Sequence, residues 1–375
     1  MLYTFLYPWV TEASFLNVLR YPSFRIVMAA LTALILTLFL FPPFIRRLQI
    51  FKFGQEVRKD GPEAHLKKQG TPTMGGLLIL GSIFVSTVIW SDVRNGAVWL
   101  LLLVTMGYGA VGFYDDYKKI KYKDPAGLSG RWKLFWQFII GGIALGLWAT
   151  GETSIPFDTS ISLPFISTKA FLPTIPPVIY LPLALTLLVV GTSNAVNLTD
   201  GLDGLAIGPT IVASFVFLVL AYAAGSTLGD FNIASYLHIV EVKGAVELCI
   251  FCAAIIGAGI GFLWYNAYPA LVFMGDVGAL ALGGALGMLA IFTKNELLSA
   301  LLHGVFLAET LSVMIQSTYF KYTKKKFGEG RRVFRMAPVH HHFEKRGWPE
   351  PRVVIRFWII SIMLALVALA SLKLR

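Results

Sequence analysis

The chain has 375 residues, of which 56% are hydrophobic and only 14% are charged, and its mean hydropathy is +0.69. Soluble domains typically contain about 25% charged residues, so this composition excludes a soluble protein and indicates a polytopic membrane protein. The net charge of +11 does not indicate nucleic-acid binding, because the Lys and Arg residues crowd the ends of apolar runs, where lipid headgroups account for them.

Apolar runs long enough to cross a bilayer as helices, about 20 residues each, recur along the chain. They lie near residues 26–45, 75–91, 97–114, 134–150, 178–196, 205–224, 246–264, 277–293, 298–318 and 356–373. The sequence therefore predicts an all-α polytopic membrane protein with about ten transmembrane helices. No repeat or linker divides it, so we expect a single transmembrane domain over residues 1–375.

The positive charges are unequally distributed between the two sets of connections. Those after predicted spans one, three and nine hold most of the 32 Lys and Arg residues. Cytoplasmic loops carry an excess of these residues, so we expect the connections after odd-numbered spans to be cytoplasmic and both termini to be periplasmic. The five cytoplasmic loops are predicted at about residues 46–74, 115–133, 197–204, 265–276 and 319–355.

Two adjacent carboxylates, Asp115 and Asp116, end the third predicted span. Neighbouring side chains on a helix point about 100° apart, so we do not expect this pair to chelate one ion easily. One acid could face a metal or nucleophile while the other orients a lysine or accepts a proton. The alternative is a structural helix end from which Lys118 and Lys119 reach water.

A polar stripe lies between predicted spans five and six. Asn194, Asn197, Asp200 and Asp203 recur every three residues, which places them on one face if the helix continues. Gly201 would then end the helix and let a ligand approach the backbone. The alternative is a polar turn that caps two helices, but two amides and two acids favour a polar ligand site.

Asp276 is predicted at the N-cap of span eight, which is by itself a sufficient structural reason for an aspartate. A helix N-terminus also attracts phosphate through its free amides and its dipole. A carboxylate beside a phosphate requires a cation between them, and Mg²⁺ binds one or two carboxylates together with substrate phosphates. All these acids lie at predicted cytoplasmic ends.

The long basic loop contains three consecutive histidines, of which at most two can face one pocket from a regular helix. The arginines before His340 favour an anionic substrate over a metal. The segment from Lys67 to Gly76 adds lysines, threonine hydroxyls and glycines that suit phosphate. Glu309 is expected to be a packed, hydrogen-bonded residue that faces the bundle, and Gln316 follows two turns later on the same face.

Five segments in this order, Lys68 to Gly76, Asp115-Asp116, Asn197 to Asp203, Phe273 to Asp276 and Ala337 to His342, resemble the polyprenyl-phosphate hexose-1-phosphate transferases. The His triplet with its Ala-Pro prefix and Glu344 is typical of the muramoyl-pentapeptide branch. Relatives that transfer N-acetylglucosamine-1-phosphate lack this combination.

The resemblance implies transfer of phospho-N-acetylmuramoyl-pentapeptide from UDP-N-acetylmuramoyl-pentapeptide to undecaprenyl phosphate. The products would be lipid I and UMP, the cofactor Mg²⁺, and the location the bacterial inner membrane, where the product serves peptidoglycan synthesis. By analogy Asp276 holds Mg²⁺, and Asp115 or Asp116 prepares the lipid phosphate. His340 is assigned to the catalytic pocket without a defined step. The residues assigned to substrate binding are Lys68, Thr73, Asn197, Asp200, Gly201, Leu202, Asp203, Asn266, Phe273, Gln316 and His341.

Several alternatives stay open at this level. Direct attack by the lipid phosphate and a covalent aspartyl intermediate both suit these residues, and the oligomeric state is open, with a homodimer among the options. A membrane transporter is the competing class, but transporters usually place their sites near the bilayer midplane, whereas these acids cluster at one surface.

Overall fold

Helices make up most of the chain in the computed structural model, which describes residues 1–9, 14–50, 70–122, 127–151 and 153–374. The α-helices are α1 (Leu2–Leu6), α2 (Pro22–Ile50), α3 (Gly76–Trp90), α4 (Gly96–Tyr122), α5 (Gly130–Ala149), α6 (Pro177–Leu183), α7 (Gly191–Thr199), α8 (Ile207–Gly225), α9 (Ile233–Leu237), α10 (Val246–Asn266), α11 (Gly275–Phe292), α12 (Glu296–Leu302), α13 (Gly304–Phe327), α14 (Val339–Glu344) and α15 (Glu350–Ala370).

Other regular elements are short. Two 3₁₀ helices, Tyr7–Trp9 and Ser14–Arg20, precede α2, and a π-helix, Ala184–Val190, joins α6 to α7. Strands β1 (Thr227–Leu228) and β2 (Phe231–Asn232) pair antiparallel in a hairpin. The predicted helical class is confirmed, with this one hairpin added in the described residues.

Each predicted span coincides with helical structure, although the fifth and the ninth consist of more than one element. The helices differ in whether they are long and apolar enough to cross a bilayer. Among the described residues, eight helical segments are long and apolar enough, one of them being α6, the π-helix and α7 together, and α12 with α13 makes a ninth if the bent pair is one span. α3 has only 15 residues, short of the usual length. A membrane protein is therefore established, whereas the count of ten stays a prediction.

Several predicted boundaries were wrong because helices run beyond the apolar core into polar sequence. α4 continues through the acids to Tyr122, α10 reaches Asn266, and α13 extends to Phe327. Asp115 and Asp116 therefore lie on a helix, not in a loop. α13 ends where Gly328 adopts a φ of 78°, a conformation that glycine takes without strain, and three lysines fill the last turn, where they favour the helix dipole.

The ninth predicted span is a broken helix. α12 and α13 meet at an angle of 79°, with His303 between them in a non-helical conformation. The apolar run shows no proline at this point, so periodicity alone predicted a straight helix. The bend directs the far end of α13 toward the segment that carries the three histidines.

α11 forms the centre of the bundle, and every residue from Val277 to Phe292 is buried. Its sequence alternates glycine and alanine with larger side chains, which lets neighbouring helices approach closely. α4 and α7 pack on it, and a Cβ at Gly287 would overlap the backbone of Leu188 in the π-helix. α10 forms a second centre between α2 and α8.

A matched pair of glycines tests this packing. A Cβ at Gly257 in α10 would overlap the backbone carbonyl of Ala30 in α2, whereas nothing lies within 4 Å of a Cβ at Gly81 in α3. Gly257→Ala should destabilise the protein by about 1 to 3 kcal/mol, the usual range for overpacking. Gly81→Ala should leave stability unchanged or raise it slightly, because alanine is the better helix former.

Thermal unfolding in detergent measures both variants. Equal melting temperatures for the two would contradict the close approach of α2 and α10.

Candidate active site

Three carboxylates meet at the end of the bundle where α4 ends and α11 begins. One oxygen atom from each of Asp115, Asp116 and Asp276 lies within 4.8 Å of the others. Asp115 is completely buried, Asp116 is 4% exposed, and Asp276 is half-buried. A Cβ at Gly112 would overlap the Asp276 carbonyl, so this glycine lets the two helix backbones touch.

Two lysines neutralise most of this negative charge. Lys119 Nζ lies 2.5 Å from Asp115 Oδ2 and 3.2 Å from Asp276 Oδ2. Lys133 Nζ, from α5, lies 2.9 Å from the same Asp115 oxygen and 2.7 Å from the same Asp276 oxygen. The five side chains form one compact group of three anions and two cations.

Backbone amides fix the orientation of the paired acids. The Leu128 amide donates to Asp115 Oδ1 at 2.6 Å, and the Val277 amide donates to Asp116 Oδ2 at 3.3 Å. Because both acids are held on one side by an amide, their other oxygens can turn toward Asp276.

Two predictions about these acids were wrong. Asp115 and Asp116 were not expected to reach one centre, yet carboxylate length and the approach of α11 bring their oxygens together. Asp276 is not the N-cap of its helix, because Met274 occupies that position and Asp276 lies in the first turn. Lys119 does not snorkel into water as in the structural alternative, but reaches back to the acids.

The carboxylate group fits a small divalent cation. Mg²⁺ prefers oxygen ligands at about 2.0 to 2.1 Å, so opposite ligands lie about 4.2 Å apart. One oxygen of each acid lies within 4.8 Å of the other two, so the three acids can reach a cation of this size with small adjustments. All three acids, not Asp276 alone, are therefore candidate ligands, while Lys119 and Lys133 compete for the same oxygens.

A buried hydrogen-bond network lies one helical turn below the carboxylates. The Gln137 amide of α5 donates to Ser193 Oγ at 3.0 Å and accepts from Asn194 Nδ2 at 2.9 Å. Ser193 Oγ donates to the Leu280 carbonyl of α11, and Tyr108 of α4 donates to the Gln137 carbonyl, both at 2.8 Å. The network joins the four helices that carry the site and so fixes their register.

The segment from Asn197 to Asp203 lies beside this centre. Asn197 and Asp200 are half-buried and Gly201 is exposed. Burial, followed by the charges of Asp276, Asp116 and Asp203, raises the pKa of Asp200 to about 8. Asp200 therefore shares the electrostatic field of the carboxylates, and a cation bound there would lower its pKa.

Two other predicted binding residues, Asp203 and Asn266, hold the backbone around the site, and a third, Leu202, packs beside them. Asp203 Oδ2 accepts from the Ala270 amide at 3.0 Å. Asn266 Oδ1 accepts from the Gly204 amide at 2.9 Å, and its Nδ2 donates to the Val272 carbonyl at 2.9 Å. Leu202 is buried in a hydrophobic cluster with residues of α15. These contacts shape the pocket wall, and a direct role in binding stays a prediction.

Thr73 lies beside the centre, in a segment whose backbone pairs with that of Phe273. Thr73 is buried, and a Cβ at Gly275 would crowd both Thr73 Oγ1 and Asp116 Oδ2. Gly275 has a φ of 74°, so glycine meets both the steric and the conformational requirement. The Phe273 amide donates to the Pro72 carbonyl at 2.8 Å, which joins the two segments. Lys68 lies outside the described residues.

The segment after α13 is fastened along that helix at three points, each seven residues apart. Glu309 Oε2 accepts from His340, and Gln316 Oε1 accepts from the Phe334 amide at 3.0 Å. Thr323 Oγ1 accepts from the Arg331 amide at 2.8 Å. The prediction that Glu309 is packed and hydrogen-bonded is confirmed. Gln316 holds backbone, and its assignment to substrate stays a prediction.

The three histidines have different hydrogen-bond partners, although the ring centroids of His340 and His341 lie only 4.1 Å apart. His340 is buried, His341 Nδ1 lies 2.7 Å from Glu344 Oε2, and His342 Nδ1 accepts from the Arg335 amide at 3.0 Å. Burial, Arg346 and Arg335 together lower the pKa of His342. Only His340 faces the segment around Gly201 closely enough for a Cβ there to overlap its ring.

Sequence reasoning missed the two lysines and the Gln137 network. The contact of Lys119 with Asp115 could have been predicted, because a lysine four residues after an aspartate lies on the same helical face. Nothing in the sequence indicated the contacts of Lys133, because this residue belongs to the next helix and reaches the acids only through the packing of α5. Gln137 stood in an apolar run as a lone amide, which is a weak indication of a buried network.

Fold and site together define a polytopic membrane protein with a buried carboxylate and lysine centre at one end of its helix bundle. Residues 98–294 match the family model for Glycosyl transferase family 4, and residues 68–80 match Phospho-N-acetylmuramoyl-pentapeptide-transferase signature 1.

Curated relatives with the name phospho-N-acetylmuramoyl-pentapeptide-transferase align with the whole chain. The protein of Anaeromyxobacter sp. (strain Fw109-5) is 55% identical over 388 residues, and that of Anaeromyxobacter sp. (strain K) is 53% identical over 388 residues. The protein of Sorangium cellulosum (strain So ce56) is 52% identical over 386 residues. Each alignment covers 100% of both chains. The chain belongs to the phospho-N-acetylmuramoyl-pentapeptide transferase family, whose members are phospho-sugar transferases.

Removal of a lysine tests the cation site. Lys133→Met removes an ammonium that lies 2.7 Å from Asp276 Oδ2, so a divalent cation should bind at least about tenfold more tightly. Arg131→Met on the same helix should have little effect, because Arg131 is exposed. Titration with Mn²⁺ followed by electron paramagnetic resonance measures both. Unchanged or weaker Mn²⁺ binding in Lys133→Met would place the cation elsewhere.

Proposed function

We propose that this protein transfers phospho-N-acetylmuramoyl-pentapeptide from UDP-N-acetylmuramoyl-pentapeptide to undecaprenyl phosphate, which yields lipid I and UMP. The reaction would require Mg²⁺ and would serve peptidoglycan synthesis at the bacterial inner membrane. The observation that carries the proposal is the group of three carboxylates and two lysines at one end of the bundle, in a chain that aligns over its whole length with transferases of that name.

The carboxylates suit the diphosphate of the nucleotide sugar. Asp115, Asp116 and Asp276 would hold Mg²⁺, which supplies positive charge to the diphosphate oxygens and to the departing UMP. Lys119 and Lys133 then become free to contact phosphate oxygens, because a bound cation takes over the acids that they now neutralise. The same five side chains would thus form ion pairs with one another without substrate, and would bind the cation and phosphate oxygens when substrate is present.

The burial of the paired acids favours direct attack by the lipid phosphate. Asp115 already accepts from the Leu128 amide and contacts both lysines, and Asp116 accepts from the Val277 amide. A covalent aspartyl intermediate would require one acid to leave these partners and reach the substrate phosphorus. Their proposed work is to orient the cation and lysines and to accept a proton from the lipid phosphate.

The nucleotide would occupy the surface between the Asn197 to Asp203 segment and Phe273. This region combines half-buried polar groups with an aromatic side chain, and an aromatic face suits uracil stacking. Thr73, His341 and Lys68 are proposed to extend the pocket toward the rest of the substrate.

The alternatives receive less support. The signature over residues 68–80 and the names of the relatives favour the muramoyl-pentapeptide branch over transferases of N-acetylglucosamine-1-phosphate. A transporter would not exchange labelled UMP with the nucleotide sugar in detergent, whereas the transferase should. A homodimer stays a proposal that the mass of the purified protein in detergent would test.

Asp276→Asn should abolish transfer and leave the fold intact, because the amide keeps the shape of the side chain but loses the charge that a cation needs. Turnover is followed as UMP release, and folding as the melting temperature. Asp230→Asn, an exposed aspartate in the β1–β2 hairpin region, serves as the control and should be fully active. Near-normal turnover of Asp276→Asn at saturating Mg²⁺ would remove Asp276 as a metal ligand.

The proposed topology has ten spans in one domain, with both termini periplasmic and the five basic or polar loops cytoplasmic. Lys169 and Lys324 are both exposed, and they lie in connections expected on opposite sides. A cysteine at Lys169 should react with an impermeant thiol reagent added to intact cells, and one at Lys324 should not. The native Cys249 and Cys252 are buried, so they should not contribute. The opposite labelling pattern would invert the topology.

A further inference from the structure

Glu309 is a buried acid outside the group of three aspartates, and it pairs with His340. Glu309 in α13 is fully buried, and His340 at the start of α14 is 1% exposed. His340 Nδ1 lies 3.1 Å from Glu309 Oε2, and the His340 backbone amide approaches the same oxygen at 3.4 Å. The carboxylate thus fixes both the ring and the backbone of this histidine.

The other nitrogen of the His340 ring, Nε2, faces away from Glu309. Within the described part of the chain, His340 Nε2 is buried and has no hydrogen-bond partner. A Cβ at Gly201 would overlap Nε2 and crowd Cε1, so the ring lies directly against the Asn197 to Asp203 segment. A buried polar atom without a partner is costly, and such atoms in a native protein call for an explanation.

A carboxylate that binds one imidazole nitrogen determines which nitrogen carries the proton and how the ring is turned. Here Glu309 would keep a proton on Nδ1 and turn Nε2 toward the segment around Gly201. That segment borders the proposed nucleotide pocket, so a bound substrate could supply the partner that Nε2 lacks.

We propose that Glu309 is a positioning residue that holds His340 so that Nε2 contacts a polar group of the bound nucleotide sugar. This inference rests on the proposed function, because it assigns a partner within the same site. Glu309 itself does not touch the substrate. Its effect passes through the imidazole alone.

The test is Glu309→Gln, which keeps the volume of the side chain and removes its charge. KM is measured for each of the two substrates, the nucleotide sugar and the lipid phosphate. KM for UDP-N-acetylmuramoyl-pentapeptide should rise about 10- to 100-fold, the range for loss of a charged hydrogen bond. KM for undecaprenyl phosphate and kcat should stay within about threefold of wild type, because the lipid side and the reacting atoms are not involved. A purely structural contact would shift both Michaelis constants or neither.

A double-mutant cycle shows whether Glu309 acts through His340. His340→Ala should raise KM for the nucleotide sugar by a similar factor, and addition of Glu309→Gln should then change it by less than about twofold. The matched control is Glu296→Gln in α12, which removes another buried glutamate that accepts from Tyr180 Oη at 2.6 Å. This control should leave both Michaelis constants unchanged.

Several results would overturn the inference. These are an unchanged KM for the nucleotide sugar in Glu309→Gln, an equal rise in KM for the lipid, additive effects in the double mutant, or the same kinetic change in Glu296→Gln. A Glu309→Gln protein that does not fold would also overturn it, because the contact would then be structural. Failure of wild-type protein to release UMP is a separate result, and it would reject the proposed function instead.

Discussion

Three carboxylates within 4.8 Å of one another are the constraint on which this structure depends. Two unit charges about 4 Å apart repel by about 4 kcal/mol at an effective dielectric constant of 20, so the group cannot stay ionised at the edge of an apolar bundle without cations. Lys119 and Lys133 meet that need, and they determine the local architecture. α4 must remain helical beyond its apolar part to present Lys119, and α5 must begin with Lys133 turned inward. The Gln137 network one turn below then keeps these helices in register.

The polar residues around this centre divide into two groups by what their side chains contact. Asp203, Asn266 and Gln316 bind backbone amides and carbonyls, so they give irregular segments a fixed path. The acids, the lysines and the ring of His340 instead point at one another or toward the Asn197 to Asp203 segment. A mutation in the first group is expected to change the shape of the pocket, whereas a mutation in the second changes its charge.

The sequence predicted the helical class, a helix at each apolar run and the placement of Asp115, Asp116 and Asp276 at one end of the bundle, because hydropathy and motif order depend on the chain alone. It did not predict that oxygen atoms of all three acids meet. It failed where the outcome depends on packing between distant segments. Lys133 reaches the acids only because α5 lies against α4, and the break at His303 occurs in an apolar run that contains no proline. The role of Asp203 was also hidden, because a carboxylate in a polar stripe is equally suited to a ligand and to a backbone amide.

The three contacts along α13, from Glu309, Gln316 and Thr323, repeat every seven residues and hold a segment with little regular structure of its own. The path of that segment is therefore determined by three evenly spaced side chains of α13. A substitution between two of these residues changes only one side chain. Insertion of one residue there would turn each later contact by about 100° around the helix axis. The fold should therefore tolerate a substitution between residues 309 and 323 of α13 more easily than a change in the number of residues there.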